Sequence, residues 1–450
     1  MRRLICALLL VLAPALAGAQ ILTLETCIER ALGDNTDLRL AAQGVERATA
    51  DVKTARANRL PSADATLFGY TRSRTGPSVR TQENPTGQVD PATGQRIFQE
   101  EETLIPAINR NSFAFSASVN QTLWDGGRLK KAHQAAHSDL QGAEKSLQSR
   151  RVEVAAQVKR RYYDLLKAKE LVEVQQEALK LSDQQLQDAQ TRLEVGSGTE
   201  VDVLRLGVAR DNALTQLINA EQSVTLGRAN LNHIMGSQVR APIDVAPLQQ
   251  DWSRSVPNDF ATLLERALGS SPELERLRLA VWAADLGLAG TRGAWHPRLT
   301  GSASYSRNNE EIDRVYGDID QNYRLDLRAT LSYNIFDGGI RRANTARART
   351  GLENARLAVE QEERSITLAL ETAQLELTRL EKIYQVSQRT VHLAQEDLRL
   401  AEERYRVGKG RLLEVLDAQV GFIQGRSNLV QTRYDLEIAE AELERLMGSW

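Results

Sequence analysis

The sequence predicts a mainly helical chain with a membrane β-sheet, arranged as two repeats of helix–strand–strand–helix. Three observations carry that expectation. The first is a duplication. Glu29-Arg30-Ala31-Leu32-Gly33 returns as Glu265-Arg266-Ala267-Leu268-Gly269, and Pro61 as Pro297, both at an offset of 236. Asp125-Gly126-Gly127 returns as Asp337-Gly338-Gly339, Val195-Gly196 as Val407-Gly408, and Met235-Gly236 as Met447-Gly448, all at an offset of 212. The first repeat therefore carries 24 additional residues between Pro61 and Asp125, and a unit this long is a structural repeat rather than a solenoid period. The second is composition: a chain rich in Ala, Leu, Gln, Glu and Arg with only 5% aromatics fits long helices and coiled coils. The third is period-two alternation in short runs beside those helices, which separates apolar from polar side chains across a strand.

In order, residues 1–19 read as a secretory signal peptide. Arg2 and Arg3 precede an apolar run from Leu4 to Leu12, and Ala17-Gly18-Ala19 offers a small-residue cleavage site before Gln20. Repeat 1 spans 20–236. Helix over 21–58, interrupted near Gly33-Asp34-Asn35, ends at Pro61, whose ring excludes the helical ladder. A strand over 62–71 follows, then a loop over 72–111 marked by Pro77, Pro85, Pro91 and Pro106. In the next strand, 112–124, Phe113, Phe115, Ala117 and Val119 alternate with Ser112, Ser116, Ser118 and Asn120. A proline-free helix over 127–195, about 100 Å long at 1.5 Å per residue, needs a neighbour along its whole length. The return helix 199–235 supplies one.

A linker, 237–257, carries Trp252 and Pro257. Repeat 2, 258–450, follows the same plan: helices over 259–294, strands over 299–306 and 325–336, a long helix over 339–407 and a return helix over 411–447. The turn region of about 307–322 and the loop 72–111 are the expected external loops. Trp282 and Trp295 fall outside the strands and are expected to pack rather than bind ligand.

Four amphipathic strands in a secreted chain read as part of a membrane barrel. Open sheet edges are not tolerated in lipid, and outer-membrane barrels need at least ~8 strands, so the chain is expected to oligomerise. A net charge of −2 argues against a nucleic-acid partner. Cys6 leaves with the signal peptide and Cys27 remains alone, so no intrachain disulfide is expected. His133 and His137 share a helix face, but no third ligand lies nearby in sequence. No phosphate loop, nucleophile elbow or paired catalytic carboxylates are recognisable. The expectation is no enzyme activity, no cofactor and no metal.

The order of these motifs resembles the TolC-like outer membrane efflux proteins, or outer membrane factors. The resemblance rests on the doubled helix–strand–strand–helix plan, the proline at the entry to each odd strand and the aromatic-Asp-Gly-Gly at each strand exit. It extends to Tyr405-Arg406-Val407-Gly408 and Leu413-Glu414-Val415-Leu416-Asp417-Ala418-Gln419, and covers essentially the whole mature chain. It implies a homotrimer in which each chain contributes one third of a 12-stranded barrel, continued by a periplasmic coiled-coil tunnel. It implies outer-membrane lipid, a periplasmic adaptor protein and an inner-membrane transporter as partners. The implied function is a passive exit duct for a tripartite efflux pump or type I secretion system in a Gram-negative bacterium. The alternative is a non-channel periplasmic or surface coiled-coil scaffold.

Three groups of candidate residues follow. Trp124, Asp125, Gly126 and Gly127, repeated as Phe336, Asp337, Gly338 and Gly339, mark strand-to-helix junctions, where an aromatic suits a membrane–water boundary and Asp can cap free N–H groups. Gly196, Gly198, Gly408 and Gly410 mark the tips, the expected adaptor-docking surface. Near the tips, Asp202, Glu414 and Asp417 would form carboxylate rings in an oligomer. The resemblance implies a periplasmic gate there, in which Tyr405 and an arginine tie neighbouring helices to the first-repeat acid. The family's arginine position falls on Gly410, which leaves Arg411 and Arg205 as candidate ties.

Overall fold

A computed structural model describes residues 20–247, 259–317 and 320–448. The expected signal peptide, residues 248–257 of the linker with Trp252 and Pro257, and Trp450 lie outside the described residues. In chain order the elements are β1 (Gln20–Leu22), α1 (Leu24–Asp34), α2 (Thr36–Ala57), β2 (Ser62–Thr75), β3 (Ser78–Val89), β4 (Arg96–Ile105), β5 (Ile108–Trp124), α3 (Arg128–Glu194) and α4 (Glu200–Ile234). Then follow β6 (Ile243–Val245), α5 (Phe260–Ser270), α6 (Pro272–Gly293), β7 (Arg298–Asn309), α7 (Ile312–Tyr316), β8 (Tyr323–Ser332), α8 (Ile340–Arg406) and α9 (Leu412–Leu446). The long helices α3 and α8 have 67 residues each and the return helices α4 and α9 have 35 each, so these helices match in length between the repeats.

The chain divides into two compact units, each drawing on both repeats. The sheet unit comprises Ala50–His137 and Ala283–Leu352. Its main sheet has the antiparallel order β2-β5-β7-β8. The register keeps like faces together across all four strands. One rung runs Ala63–Val119–Ala303–Leu327, and the next runs Asp64–Ser118–Ser304–Asp326. A bulge between Thr66 and Gly69 sets Leu67 and Phe68 against Phe115 and shifts the parity of β2, so that Tyr70 faces Phe113 with ring centroids 5.2 Å apart. One sheet face is thus apolar and aromatic, and the other is hydroxyl-rich and charged.

The expected loop 72–111 is corrected by this structure. β2 runs on to Thr75, β5 begins at Ile108, and β3 and β4 pair with each other as a two-stranded ribbon from Ser78–Ile105 to Val89–Arg96. Pro77 and Pro106 flank the break between ribbon and sheet, Pro85 borders a ladder irregularity, and Pro91 sits in the turn closed by Gly94 N–H to Asp90 O at 2.8 Å. The prolines mark interruptions in a ladder, where a missing N–H is tolerated. Two further expectations shift. The strand expected over 325–336 stops at Ser332, because its partner begins at Arg298 behind Pro297 and offers nothing to pair with 333–336. The turn region 307–322 gives three residues to β7 and contains α7, whose Tyr316 hydroxyl donates to Leu67 O.

The helical unit comprises the described parts of Met1–Thr49, Ser138–Trp282 and Glu353–Trp450. The helix over 21–58 is two helices meeting at Asn35, and 259–294 is two meeting at Ser271. Asn35 Oδ1 accepts from Asp37 N–H at 2.8 Å and Leu38 N–H at 3.2 Å, capping α2, while Nδ2 donates to Ile234 O at 2.8 Å. One apolar cluster joins Cys27, Val158, Tyr162, Leu165, Leu231 and Val245; another joins Leu263, Leu370, Leu377, Leu436 and Leu443. In the second, Leu370/Leu377 and Leu436/Leu443 repeat every seven residues, as a coiled-coil seam requires. The parallel pair β1–β6, Gln20–Leu22 on Ile243–Val245, was not expected; three-residue strands carry no periodic signal. Cys27 is free and buried, and burial pushes its thiol up to about 11, which leaves it unreactive.

Candidate functional site

The strand-to-helix junctions are built alike in both repeats. Asp125 accepts from Gly127 N–H at 3.1 Å and Leu129 N–H at 2.8 Å. Asp337 accepts from Gly339 N–H at 3.0 Å and Arg341 N–H at 3.0 Å. Each carboxylate therefore satisfies donors that an α-helix leaves free at its start. Gly126, Gly127, Gly338 and Gly339 all have positive φ. Gly126 is required for a second reason: a Cβ there would lie 2.4 Å from Gly293 O. The side chains differ. Trp124 meets His296 edge-on with centroids 5.9 Å apart, whereas Phe336 is 85% exposed. Arg341 Nε lies 2.9 Å from Asp337, and its guanidinium sits 4.6 Å above the Trp295 ring.

At the helical tips, α3 ends with Ser197 N–H bonded to Arg192 O at 2.8 Å and Gly196 N–H to Leu193 O at 3.0 Å. The end of α8 repeats this with Lys409 N–H to Arg404 O at 2.8 Å and Gly408 N–H to Tyr405 O at 3.1 Å. This is the Schellman pattern, closed by left-handed Gly196 (φ 75°) and Gly408 (φ 74°). Gly198 and Gly410 lie where a Cβ would crowd the backbone, at 2.9 Å from Leu193 N and 3.0 Å from Tyr405 N. Thr199 caps α4, its hydroxyl accepting from Asp202 N–H at 3.1 Å. Arg411, in the same position before α9, makes no side-chain cap.

Tyr405 joins two apolar clusters, one with Leu398, Ala401, Val415 and Ala418, the other with Ala189, Leu206 and Leu412. The Arg192 guanidinium lies 5.1 Å above its ring. Burial, and then the nearby Asp202 carboxylate, push the Tyr405 phenol above its ordinary value, against the opposing pull of Arg192. Asp202 and Tyr405 are thus close enough to interact. Glu414 pairs with Arg404 at 3.8 Å rather than with Arg411. Among the described residues Asp202, Arg205 and Asp417 form no ion pair, so the expected ties from Arg205 and Arg411 are not made within one chain. Arg192 was missed by sequence reasoning. The 212 offset makes it the counterpart of Arg404 in the last turn of the other long helix, but does not point to Tyr405.

The family profile described as outer membrane efflux protein matches residues 27–237 and 263–449, breaking where the repeats meet. Outer membrane efflux protein BepC of Brucella suis is 24% identical over 340 residues, covering 75% of this chain and 73% of that protein. Outer membrane protein OprJ of Pseudomonas aeruginosa is 24% identical over 437 residues, covering 94% and 84%. Among solved structures, CusC superposes with a TM-score of 0.78 at 19% identity, covering 95% of this chain and 92% of that one. The Campylobacter jejuni CmeC outer membrane channel does so with 0.78 at 16% identity, covering 94% and 85%. The duplicated plan, the four-stranded sheet with open edges and the long paired helices are therefore those of a TolC-like channel, and the chain belongs to the outer membrane efflux protein family, as an efflux channel of the outer membrane extending into the periplasm.

Proposed function

We propose that three copies of this chain close one barrel and one tunnel, which serve as the passive exit duct for a periplasmic adaptor and an inner-membrane transporter. The observation that carries the reading is the open sheet. β2 and β8 are its two edges, and their free backbone groups cannot face lipid. With four strands per chain, β8 of one copy meets β2 of the next antiparallel, and three copies give twelve strands. The register supports the same reading: the apolar rungs suit lipid, and the hydroxyl and charged rungs suit a water-filled lumen. Trp124 and Phe336 then lie at the membrane–water boundary, and the ribbon β3–β4 with the β7–β8 connection forms the external face. In this reading 1–19 is a signal peptide, 20–236 and 258–450 are the two repeats and 237–257 is their linker.

At the helical tips, Asp202, Glu414 and Asp417 form carboxylate rings that favour cations, and Tyr405 with Arg192 holds the resting tip; Arg205 and Arg411 are free to meet acids of a neighbouring copy. The Gly196–Gly198 and Gly408–Gly410 turns are the adaptor-docking surface. Interchain cysteine crosslinking tests the assembly, since buried Cys27 gives a clean background. Cysteines at Ala63 or Ala65 paired with one at Leu327 yield covalent trimers in at least one register; monomers at every pairing would refute closure through β2 and β8.

A further inference from the structure

The bulge in β2 decides which way two arginines face. Before it, Asp64 and Thr66 share the hydroxyl-rich face with Ser118 and Ser116. After it, the register runs Tyr70–Phe113, Arg72–Asn111 and Arg74–Asn109. Side chains alternate along a strand, and directly opposed residues share a face. Arg72 and Arg74 therefore stand on the apolar face beyond Phe113, where an unbroken strand would have turned them into the hydroxyl-rich lining. Arg110, opposite Ser73, takes the other face and is paired with Glu310 at 2.8 Å. Arg72 and Arg74 are exposed and have no carboxylate partner among the described residues.

Next to the two arginines, the same face carries a band of aromatic rings. Phe68 and Tyr70 lie 6.1 Å and 5.2 Å from Phe113, centroid to centroid. Tyr305 stacks on Tyr323 at 5.8 Å and meets Phe115 edge-on at 6.2 Å. Phe113 precedes Trp124 by eleven residues of β5, and a tilted strand needs about 9–11 residues to cross a membrane. The band is thus spaced from the strand–helix junction as a second interfacial belt would be. Helix α7 packs on this face too, with Tyr316 edge-on to Phe115 at 6.5 Å. It brings Asp313, while Glu311 is already paired with Arg314 at 2.8 Å. Arg72, Arg74 and Arg307 outnumber Asp313, so this end of the apolar face is positive.

We propose that Arg72 and Arg74 bind the phosphate groups of an outer-leaflet glycolipid whose acyl chains lie along the apolar face of the same sheet. Headgroup and chains are then on one side of the barrel wall, with the aromatic band between them. Guanidiniums match phosphate oxygens in a forked geometry that suits this group. Each cation held near an anionic headgroup adds to the affinity for the membrane surface. The proposal rests on the apolar face being the lipid-facing one, so that reading is measured alongside it.

The intact protein, delipidated in neutral detergent, is titrated with fluorescent lipid A that carries both its phosphates or has been stripped of them. The wild type is expected to bind the phosphorylated form about tenfold tighter, and R72Q/R74Q to lose that preference. Arg110→Gln, at the same level on the opposite face, should keep it. Separately, a spin label on Val119→Cys, among the apolar rungs, is read in phosphatidylcholine vesicles. It is expected to be relaxed by oxygen and not by a water-soluble nickel chelate. Relaxation by the chelate would overturn the lipid-facing reading and this proposal with it. With the label in lipid, three results would overturn the proposal alone: equal binding of the two forms by wild type, a preference that survives in R72Q/R74Q, or one lost equally in Arg110→Gln.

Discussion

At the first tip Arg192 lies over the Tyr405 ring, whereas at the second its counterpart Arg404 reaches Glu414 instead. The backbone of the two tips is the same, down to the pair of hydrogen bonds and the left-handed glycine that end each long helix. What differs is how each return helix begins and what each arginine finds. α4 has a threonine cap and α9 has none. Leu193 holds the position that Tyr405 holds in repeat 2, so only one tip offers an aromatic ring, and Arg192 is drawn to it across the repeats. Duplication has thus kept the devices that turn the chain and has let the side chains that lock it diverge. The second tip lacks a side-chain cap and carries one exposed ion pair, so the first turn of α9 is expected to fray more readily than that of α4.

That asymmetry can be broken or sharpened by substitution, with local opening read from amide hydrogen exchange at each tip. The largest effect is expected at Tyr405→Ala. It removes the ring shared by two apolar clusters and the platform under Arg192, and should cost about 2–3 kcal/mol of local stability. Single-channel recordings of this variant should show a raised resting conductance; conductance equal to wild type would remove Tyr405 from the gate. Next come Gly196→Ala and Gly408→Ala, each forcing a Cβ into a left-handed conformation at a cost of about 1–2 kcal/mol. Because the two backbones match, the two costs should agree, and a clear inequality would break the claim that the turns are equivalent.

Smaller again are the caps. Thr199→Ala should loosen the first turn of α4 by about 1 kcal/mol, and Arg411→Thr should tighten that of α9 by a similar amount, bringing the tips closer to parity. If Arg411→Thr leaves exchange at 412–415 unchanged, the missing cap is not what loosens the second tip. The smallest effect is electrostatic. Asp202→Asn removes a charge that raises the Tyr405 phenol, so that phenol should titrate at lower pH than in wild type, as followed by ultraviolet difference absorbance. An unshifted titration would separate Asp202 from Tyr405.

Much of this was legible in the sequence because it is written in local chemistry. Asp125 and Asp337, the glycines after them, and Gly196 and Gly408 each act through the backbone within a few residues of themselves. Their repetition at a fixed offset made weak motifs strong. The β3–β4 ribbon was not legible, because Pro77, Pro85, Pro91 and Pro106 read as loop residues until the pairing across 78–105 shows that they sit at breaks and turns. The Arg192–Tyr405 contact was hidden for another reason. It joins positions in different repeats that are not counterparts, so neither spacing nor offset points to it. The Arg341–Trp295 contact lies within repeat 2 and was hidden as well: nothing in either stretch of sequence announces a cation stacked on an indole.

The most direct test of the account is the stoichiometry and conductance of the purified protein in a planar bilayer. A trimer that opens discrete, cation-preferring steps, with resting conductance raised by Tyr405→Ala, is the predicted result. A protein that remains monomeric in detergent and opens no pore would contradict it.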